Sequence, residues 1–138
     1  MKKSGPATNA FAVIIGIFLL IEGIWGLSSD YVFGVLSTNR FHAVVHIILG
    51  ILGIVLGLGK KAKGYLLFLG ILLLIVGILH FVPGAAEAMR TIFNVNTTVA
   101  IFNIVLGILS IAAAYAGTPE KTTIPPAGHT SHTKPGAV

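Results

Sequence analysis

The sequence has no cysteine and very little charge. Only 9% of its 138 residues are Asp, Glu, Lys or Arg, whereas 55% are hydrophobic and the mean hydropathy is +0.96. The lack of cysteine excludes disulfides, thiolate metal sites and cysteine nucleophiles. A soluble domain is usually about 25% charged, because solvated groups must cover its surface. The shortage of charge therefore indicates a chain that lies in lipid.

The sequence also lacks the motifs that identify common enzymes. It contains no nucleophile–base pair, no glycine-rich phosphate loop and no His-Glu-x-x-His motif. Its central glycines lie inside an apolar segment with no strand before them, so they are not a dinucleotide fingerprint. We therefore predict that the protein is not an enzyme, and we expect no cofactor and no metal.

Four apolar segments are each long enough to cross about 30 Å of hydrocarbon, which takes about 20 helical residues. They are residues 8–28, 41–59, 64–82 and 97–117, joined by short connections. The sequence thus predicts an all-α fold, a four-transmembrane-helix bundle that forms one domain, residues 8–117. Residues 1–7 precede this domain, and the Pro-, Thr- and Gly-rich residues 118–138 are expected to form a low-complexity tail.

Lysine is concentrated at one side of the four-span arrangement. Seven lysines lie there: Lys2, Lys3, Lys60, Lys61, Lys63, Lys121 and Lys134. Only Arg40 and Arg90 lie at the other side. The positive-inside rule then predicts an inner or plasma membrane protein with both termini in the cytoplasm. This distribution accounts for the net charge of +5 and the pI near 9.8 without a nucleic-acid partner.

Two segments of the sequence recur. GIFLLIEGIWGL (16–27) aligns with GILLLIVGILHF (70–81) at an offset of 54, and HIILGILGI (46–54) aligns with NIVLGILSI (103–111) at an offset of 57. The first and third spans therefore correspond, as do the second and fourth. This pattern predicts two tandem hairpin repeats related by an axis along the membrane normal, a symmetry that some transporters use. Duplication of a hairpin without transport is the other explanation.

Small residues follow a helical spacing in the second and fourth spans. Residues at this spacing share one helix face, and small residues let membrane helices approach closely. We therefore expect both faces to point toward the bundle axis. The predicted packing residues are Gly50, Gly53 and Gly57, which follow His46, and Gly107 and Ser110, which follow Asn103.

Each span also carries a polar side chain in the half of the membrane farther from the lysines. Glu22, His46 and Asn103 fall roughly 9 Å below the membrane boundary, and His80 about half as deep, at about 1.5 Å per residue. His42 lies one turn before His46. A charge at mid-bilayer costs at least about 2.5–3.5 kcal/mol, so such residues normally face the interior and find partners. The sequence predicts one intramembrane polar cluster of these five residues.

Three interpretations of the cluster remain open. A hydrogen-bonded plug that fixes helix pairing fits an accessory or structural subunit of a larger membrane complex or a homo-oligomer, and this is the leading hypothesis. A titrating Glu22 with histidine relays fits a small proton- or ion-coupled transporter. A membrane histidine could instead hold haem or chlorophyll, and Glu with His also suits Zn²⁺. The expected partners are lipid, other membrane subunits or a second copy.

The stretch NRFHAVVHIILGILGIVLG (39–57), with an N-x-V-L-G segment in the last span, resembles an uncharacterised bacterial family of small four-span membrane proteins. That family is catalogued as a domain of unknown function. Five residues carry the resemblance: Asn39, His42, His46, Gly50 and Gly107. The resemblance implies the four-span topology and supplies no activity. The chain departs from the family pattern at Asn103, where that pattern has histidine.

A looser resemblance concerns the stretch FLLIEGIW in the first span. A lone glutamate in the first of four short spans is similar to the small multidrug-resistance exporters. In that family the glutamate binds a proton and a cationic substrate in turn. The resemblance implies the same role for Glu22 in the transporter hypothesis.

Overall fold

The computed structural model describes residues 3–117 and residues 128 and 136. Along the chain it contains α1 (Pro6–Gly26), β1 (Tyr31–Val32), β2 (Leu36–Ser37), α2 (Arg40–Leu58), α3 (Ala62–Leu79), α4 (Ala85–Phe93) and α5 (Thr97–Tyr115). The low-complexity tail expected at residues 118–138 lies outside the described residues, apart from 128 and 136, and so do residues 1 and 2.

Four helices, α1, α2, α3 and α5, are 18–21 residues long and apolar enough to cross a membrane. The predicted all-α bundle is thereby confirmed, and the four apolar helices indicate a membrane protein. The ends of these helices fall within three residues of the expected spans. Their outward faces carry exposed aliphatic side chains, such as Ile14 (65% exposed) and Leu58 (71% exposed). Such faces suit contact with lipid, where apolar side chains need no cover.

The connections at one end of the bundle are structured. Residues 31–37 form a short antiparallel hairpin with Tyr31 opposite Ser37, which the sequence did not predict. Its turn needs two residues of positive φ, and Phe33 (51°) and Gly34 (72°) supply them. Helix α4 forms most of the connection from α3 to α5. We call this end, residues 27–39 and 80–96, the capped end, and the end with Lys3, Lys60, Lys61 and Lys63 the lysine end.

The long helices pack as two close pairs, α1 with α2 and α3 with α5. In the first pair, a Cβ atom added to Gly16 would lie 2.7 Å from the Gly50 carbonyl oxygen, and one on Gly50 would lie 2.7 Å from the Gly16 carbonyl oxygen. In the second pair, Gly70 and Gly107 stand in the same relation, at 2.8 Å in each direction. The two helices of each pair therefore touch backbone to backbone.

A second contact in each pair repeats this arrangement nearer the capped end. A Cβ atom on Gly23 would lie 2.7 Å from the Ala43 carbonyl oxygen, and one on Gly77 would lie 2.7 Å from the Ala100 carbonyl oxygen. Gly77 follows Gly23 by 54 residues and Ala100 follows Ala43 by 57, the offsets of the recurring segments. The two hairpins thus close through equivalent positions.

The remaining predicted packing residues have other neighbours. A Cβ on Gly53 would lie 2.6 Å from the hydroxyl oxygen of Tyr65, which donates a hydrogen bond to the Leu49 carbonyl oxygen at 2.8 Å. Gly57 faces the Asn9 carbonyl oxygen of α1 in the same way, at 2.8 Å. Ser110 is fully buried. Gly53 therefore makes room for α3 as well as for α1.

The apolar core has two parts. The part nearer the lysine end is centred on leucines from three helices, including Leu19, Leu49, Leu66 and Leu69. The part under the capped end joins the hairpin to the start of α5: Val32, Leu36, Val95, Val99 and Ala100. The polar cluster lies between these two parts.

Replacing Gly50 by Ala tests the backbone contact of the first helix pair. We expect a loss of about 1–3 kcal/mol of unfolding free energy, because the new methyl group would force α1 and α2 apart. Gly64→Ala is the matched control, since a Cβ atom at Gly64 of α3 meets nothing within 4 Å. Thermal unfolding in detergent, followed by circular dichroism, measures both. Equal unfolding temperatures for the two variants would contradict close packing at Gly50.

Candidate functional site

Two asparagines begin the helices that enter the membrane from the capped end. The Asn39 side chain accepts a hydrogen bond from the His42 backbone N–H at 2.8 Å, and Asn96 accepts one from the Val99 N–H at 2.9 Å. Each satisfies a backbone donor that the first helical turn leaves unpaired. These caps fix where α2 and α5 start, and hence the height of the polar residues that follow.

The same two asparagines also join the two connections of the capped end. The Asn39 amide nitrogen donates to the Ile92 carbonyl oxygen at 2.9 Å, and the Asn96 amide nitrogen donates to the Val35 carbonyl oxygen at 3.0 Å. Val35 precedes Asn39 by four residues, and Ile92 precedes Asn96 by four. Each asparagine therefore caps its own helix and holds the connection of the opposite hairpin.

Further hydrogen bonds link the two connections of the capped end. The Ser37 hydroxyl donates to the Asn94 carbonyl oxygen and accepts from the Asn96 backbone N–H at 2.9 Å. The Asn94 side-chain amide donates to the Thr38 carbonyl oxygen at 2.7 Å. Asn94 can form this link because it ends α4 in the left-handed conformation, which asparagine tolerates better than most residues. The hairpin and α4 thereby form one cover over the bundle.

Under this cover, Glu22 of α1 meets His46 of α2. The Glu22 Oε2 and His46 Nδ1 atoms are 3.2 Å apart, and the two residues are only 7% and 8% exposed. This distance makes the contact an ion pair when the imidazole is protonated. The pair joins α1 to α2 inside the bundle. Glu22 thus finds the partner that its burial requires.

His42 extends this contact toward α4. Its Nδ1 lies 2.9 Å from the Phe93 carbonyl oxygen, so this nitrogen donates its hydrogen, and in the neutral ring Nε2 is left as an acceptor. The His42 and His46 rings are in edge-to-face contact, with centroids 4.3 Å apart and planes at 74°. Glu22, His46, His42 and the Phe93 carbonyl group therefore form a continuous row from α1 to α4.

Asn103 of α5 faces the same region but has no such partner. It is 3% exposed, and its Nδ2 atom forms no hydrogen bond with any residue in the described part of the chain. A buried amide without a partner costs free energy, so an unpaired donor at this level is uncommon. Asn103 lines two cavities, both shared with His42 and His46.

The first cavity is small and polar. It offers about 10 Å³ to the centre of a water molecule, close to the minimum that holds one water. Glu22, Ser37, Thr38, His46 and Asn103 contribute its polar walls. The second cavity has a volume of about 130 Å³, and most of its walls are aliphatic or aromatic side chains of α2 and α3. The polar row thus separates a water-sized space from an apolar one.

His80 lies apart from the other four predicted cluster residues. Helix α3 ends at Leu79, so His80 is its C-cap residue and belongs to the capped end instead of the bundle interior. Its Nε2 atom is 3.3 Å from the Thr97 hydroxyl oxygen, and its ring packs against Phe81. The sequence estimate of depth assumed a helix that continues to residue 82. The structure therefore brings together Glu22, His42, His46 and Asn103 and leaves His80 outside.

Within the described residues, no group of three or more His, Cys, Asp or Glu side chains has the arrangement of a metal site. His46 and His42 each direct Nδ1 to a protein oxygen atom. The chemistry that this arrangement offers is ion pairing between Glu22 and His46 and hydrogen bonding by His42. It presents neither a nucleophile nor a converging set of ligands.

Sequence reasoning missed the residues that link the two connections by hydrogen bonds, namely Ser37, Thr38, Asn94 and Asn96. Asparagine immediately before an apolar helix is a known start signal, so the capping role of Asn39 and Asn96 could have been recognised. Their hydrogen bonds to the opposite connection have no local signal, because the partners are more than 50 residues away.

A family model described as a domain of unknown function, DUF4383, matches residues 9–116. The matched region contains all of the cover and the polar cluster and nearly all of the four apolar helices. The expected relation to an uncharacterised family is thereby confirmed. No curated protein and no solved structure matches the chain.

A double-mutant cycle tests whether Glu22 and His46 stabilise each other. We expect Glu22→Ala and His46→Ala each to lower the unfolding free energy, and the double variant to lose about 0.6–1.7 kcal/mol less than the sum, as for polar pairs in other membrane proteins. Reversible unfolding in mixed micelles measures the unfolding free energy of each variant.

The control cycle pairs Glu22→Ala with Thr8→Ala. Thr8 is also buried, and its hydroxyl donates to the Ala113 carbonyl oxygen at 2.8 Å, but it lies at the lysine end. Its effect should add to that of Glu22→Ala. A cycle for Glu22 and His46 that is additive too would refute the coupling.

Proposed function

The chain belongs to the DUF4383 family, and we propose that it is a non-enzymatic integral membrane protein, an accessory or structural subunit of a larger membrane complex or of a homo-oligomer. In this proposal the four helices form a stable scaffold whose outward apolar faces meet lipid or neighbouring subunits. The buried polar row fixes which helix faces pair and at what height.

The observation that supports this proposal is the enclosure of the Glu22–His46 pair. On the side of the capped end, the pair is covered by the hairpin and α4. On the side of the lysine end, the backbones of Gly16 and Gly50 touch within two turns of the pair. Leu19 and Leu49, 1% and 7% exposed, fill the adjoining core. A polar pair closed in this way is suited to holding helices together.

The proposal includes a duplicated hairpin. The glycine contacts of the two helix pairs occur at positions 54 and 57 residues apart, and the two asparagine caps are 57 apart. An ancestral hairpin that paired with its own copy would generate such equivalent contacts. It would also generate the reciprocal hydrogen bonds that Asn39 and Asn96 each donate to the opposite connection. Duplication of this kind needs no transport activity.

A second candidate function is proton- or ion-coupled transport. The row from Glu22 through His46 and His42 favours it, because adjacent titratable groups in membranes are common proton relays. The haem or chlorophyll alternative has less support, since a cavity of about 130 Å³ is too small for a macrocycle.

Glu22→Gln distinguishes the structural from the transport function. We expect purified wild-type protein in liposomes to show no proton flux under a pH gradient or a membrane potential, and Glu22→Gln to keep its helix content. The amide preserves the size of the side chain and its capacity to accept a hydrogen bond. A proton flux in wild-type liposomes that disappears in Glu22→Gln would establish the transport function instead.

Native mass spectrometry tests the assembly. We expect the chain, extracted from its own membrane in a mild detergent at native abundance, to appear as a defined homo-oligomer or as one component of a complex with fixed stoichiometry. A chain found only as a monomer under these conditions would contradict the subunit proposal. Measurements across several detergents control for dissociation during extraction.

The lysine end is proposed to face the cytoplasm, by the positive-inside rule. The cysteine-free chain allows a direct test with single substitutions at two exposed positions, Lys61→Cys at the lysine end and Ala88→Cys in α4. A membrane-impermeant maleimide should label Ala88→Cys in intact cells and Lys61→Cys only after permeabilisation. The reverse labelling would invert the topology.

A further inference from the structure

The apolar cavity next to the polar row is about the size of one aromatic ring. Its volume of about 130 Å³ is close to that of an engineered cavity of about 150 Å³ that binds benzene. Leu49 and Leu73 form its buried floor, and the partly exposed Val45, Leu72 and Val76 form its rim. Phe41 and Phe93 complete its apolar walls toward the capped end.

One wall of this cavity is polar. His42 and His46 contribute to it, and both have their Nδ1 atoms engaged. Asn103 contributes an amide whose Nδ2 is buried and without a partner among the described residues. An apolar ring that carries a hydrogen-bond acceptor would fill the cavity and also satisfy this donor.

The origin of the unpaired amide follows from the two hairpins. Asn103 occupies the position that corresponds to His46, 57 residues later, and Val76 the position that corresponds to Glu22, 54 residues later. In the first hairpin, the Glu22 carboxylate lies against the His46 ring. In the second, a valine replaces the glutamate, so the amide has no carboxylate to meet and an apolar space takes its place. Val76 itself lines that space.

We propose that this cavity is a binding site for a neutral, lipid-soluble ligand that has one six-membered ring and a ring carbonyl group as acceptor. The ring lies between α2 and α3, and the carbonyl oxygen accepts a hydrogen bond from Asn103. The ligand is neutral because the walls hold neither a lysine nor an arginine, and Glu22 lies in the other cavity, paired with His46. This site goes beyond the proposed function and does not depend on it.

A pair of matched probes tests the site. Cyclohexanone and methylenecyclohexane have the same six-membered ring and nearly the same size, but only cyclohexanone carries a carbonyl group. Equilibrium dialysis against nanodiscs with and without protein separates binding from partition into lipid. We expect saturable binding of one cyclohexanone per chain, with an affinity about tenfold higher than that of methylenecyclohexane, as one hydrogen bond provides.

Asn103→Leu removes the donor and keeps the bulk of the side chain. In this variant the affinity for cyclohexanone should fall about tenfold, to that of methylenecyclohexane, while methylenecyclohexane binding stays unchanged. Ser110→Ala is the matched control, because Ser110 is also buried on α5 and its hydroxyl forms no hydrogen bond within the described residues, but it lines neither cavity. Val76→Phe should fill the cavity and abolish binding of both compounds.

Equal affinities of the wild-type chain for the two compounds would overturn the proposal, and that comparison needs no variant to fold. An unchanged cyclohexanone affinity in a folded Asn103→Leu variant would also overturn it. If neither compound binds saturably, the space is occupied by lipid acyl chains, and the proposal fails.

Discussion

The structure depends on backbone-to-backbone contacts within each of its two helix pairs. Apolar side chains gain little by leaving lipid for one another, so helices in a bilayer associate through close packing and hydrogen bonds. Gly16 with Gly50, and Gly70 with Gly107, bring the helices of each pair so close that an added Cβ atom would lie 2.7–2.8 Å from the opposite carbonyl oxygen. The two pairs then contact each other much less extensively than the helices within each pair. The bundle is therefore two tight hairpins joined more loosely.

The loose joint between the hairpins explains why the capped end is so heavily hydrogen-bonded. The backbones of the two hairpins approach each other less closely than those within each helix pair. The connections at the capped end therefore add hydrogen bonds between the hairpins. Asn39 and Asn96 serve this purpose because a single amide both accepts and donates, so each caps a helix and reaches the opposite hairpin. The row from Glu22 to the Phe93 carbonyl group adds a link below them. The apolar cavity lies where the two hairpins meet and where packing is weakest.

Much of the fold and part of the polar cluster could be predicted from the sequence, for physical reasons. Lipid demands long apolar helices, so the four spans could be located closely, and the glycine spacing identified the faces of Gly50 and Gly107 that pack. Burial of a charge demands a partner, so Glu22 could be expected near a histidine. The position of His80 and the hydrogen bonds of the capped end could not be predicted. They depend on where a helix ends and on contacts between residues far apart in the sequence. His80 was assigned to the interior because no signal marks the end of α3 at Leu79, and the cover formed by Ser37 and Asn94 joins residues 57 positions apart.

The polar residues are distributed unequally between two hairpins of otherwise equivalent packing, and this inequality is what makes a site. A bundle of two identical hairpins would place a glutamate–histidine pair in each half. Here the first half keeps its pair, whereas Val99, Val76 and Asn103 stand where the second half would have His42, Glu22 and His46. Val76 and Val99 are apolar and need no hydrogen-bond partner. Asn103 retains an amide, and its buried Nδ2 forms no hydrogen bond within the described residues. The second half therefore carries a buried donor for which its own helix pair supplies no acceptor.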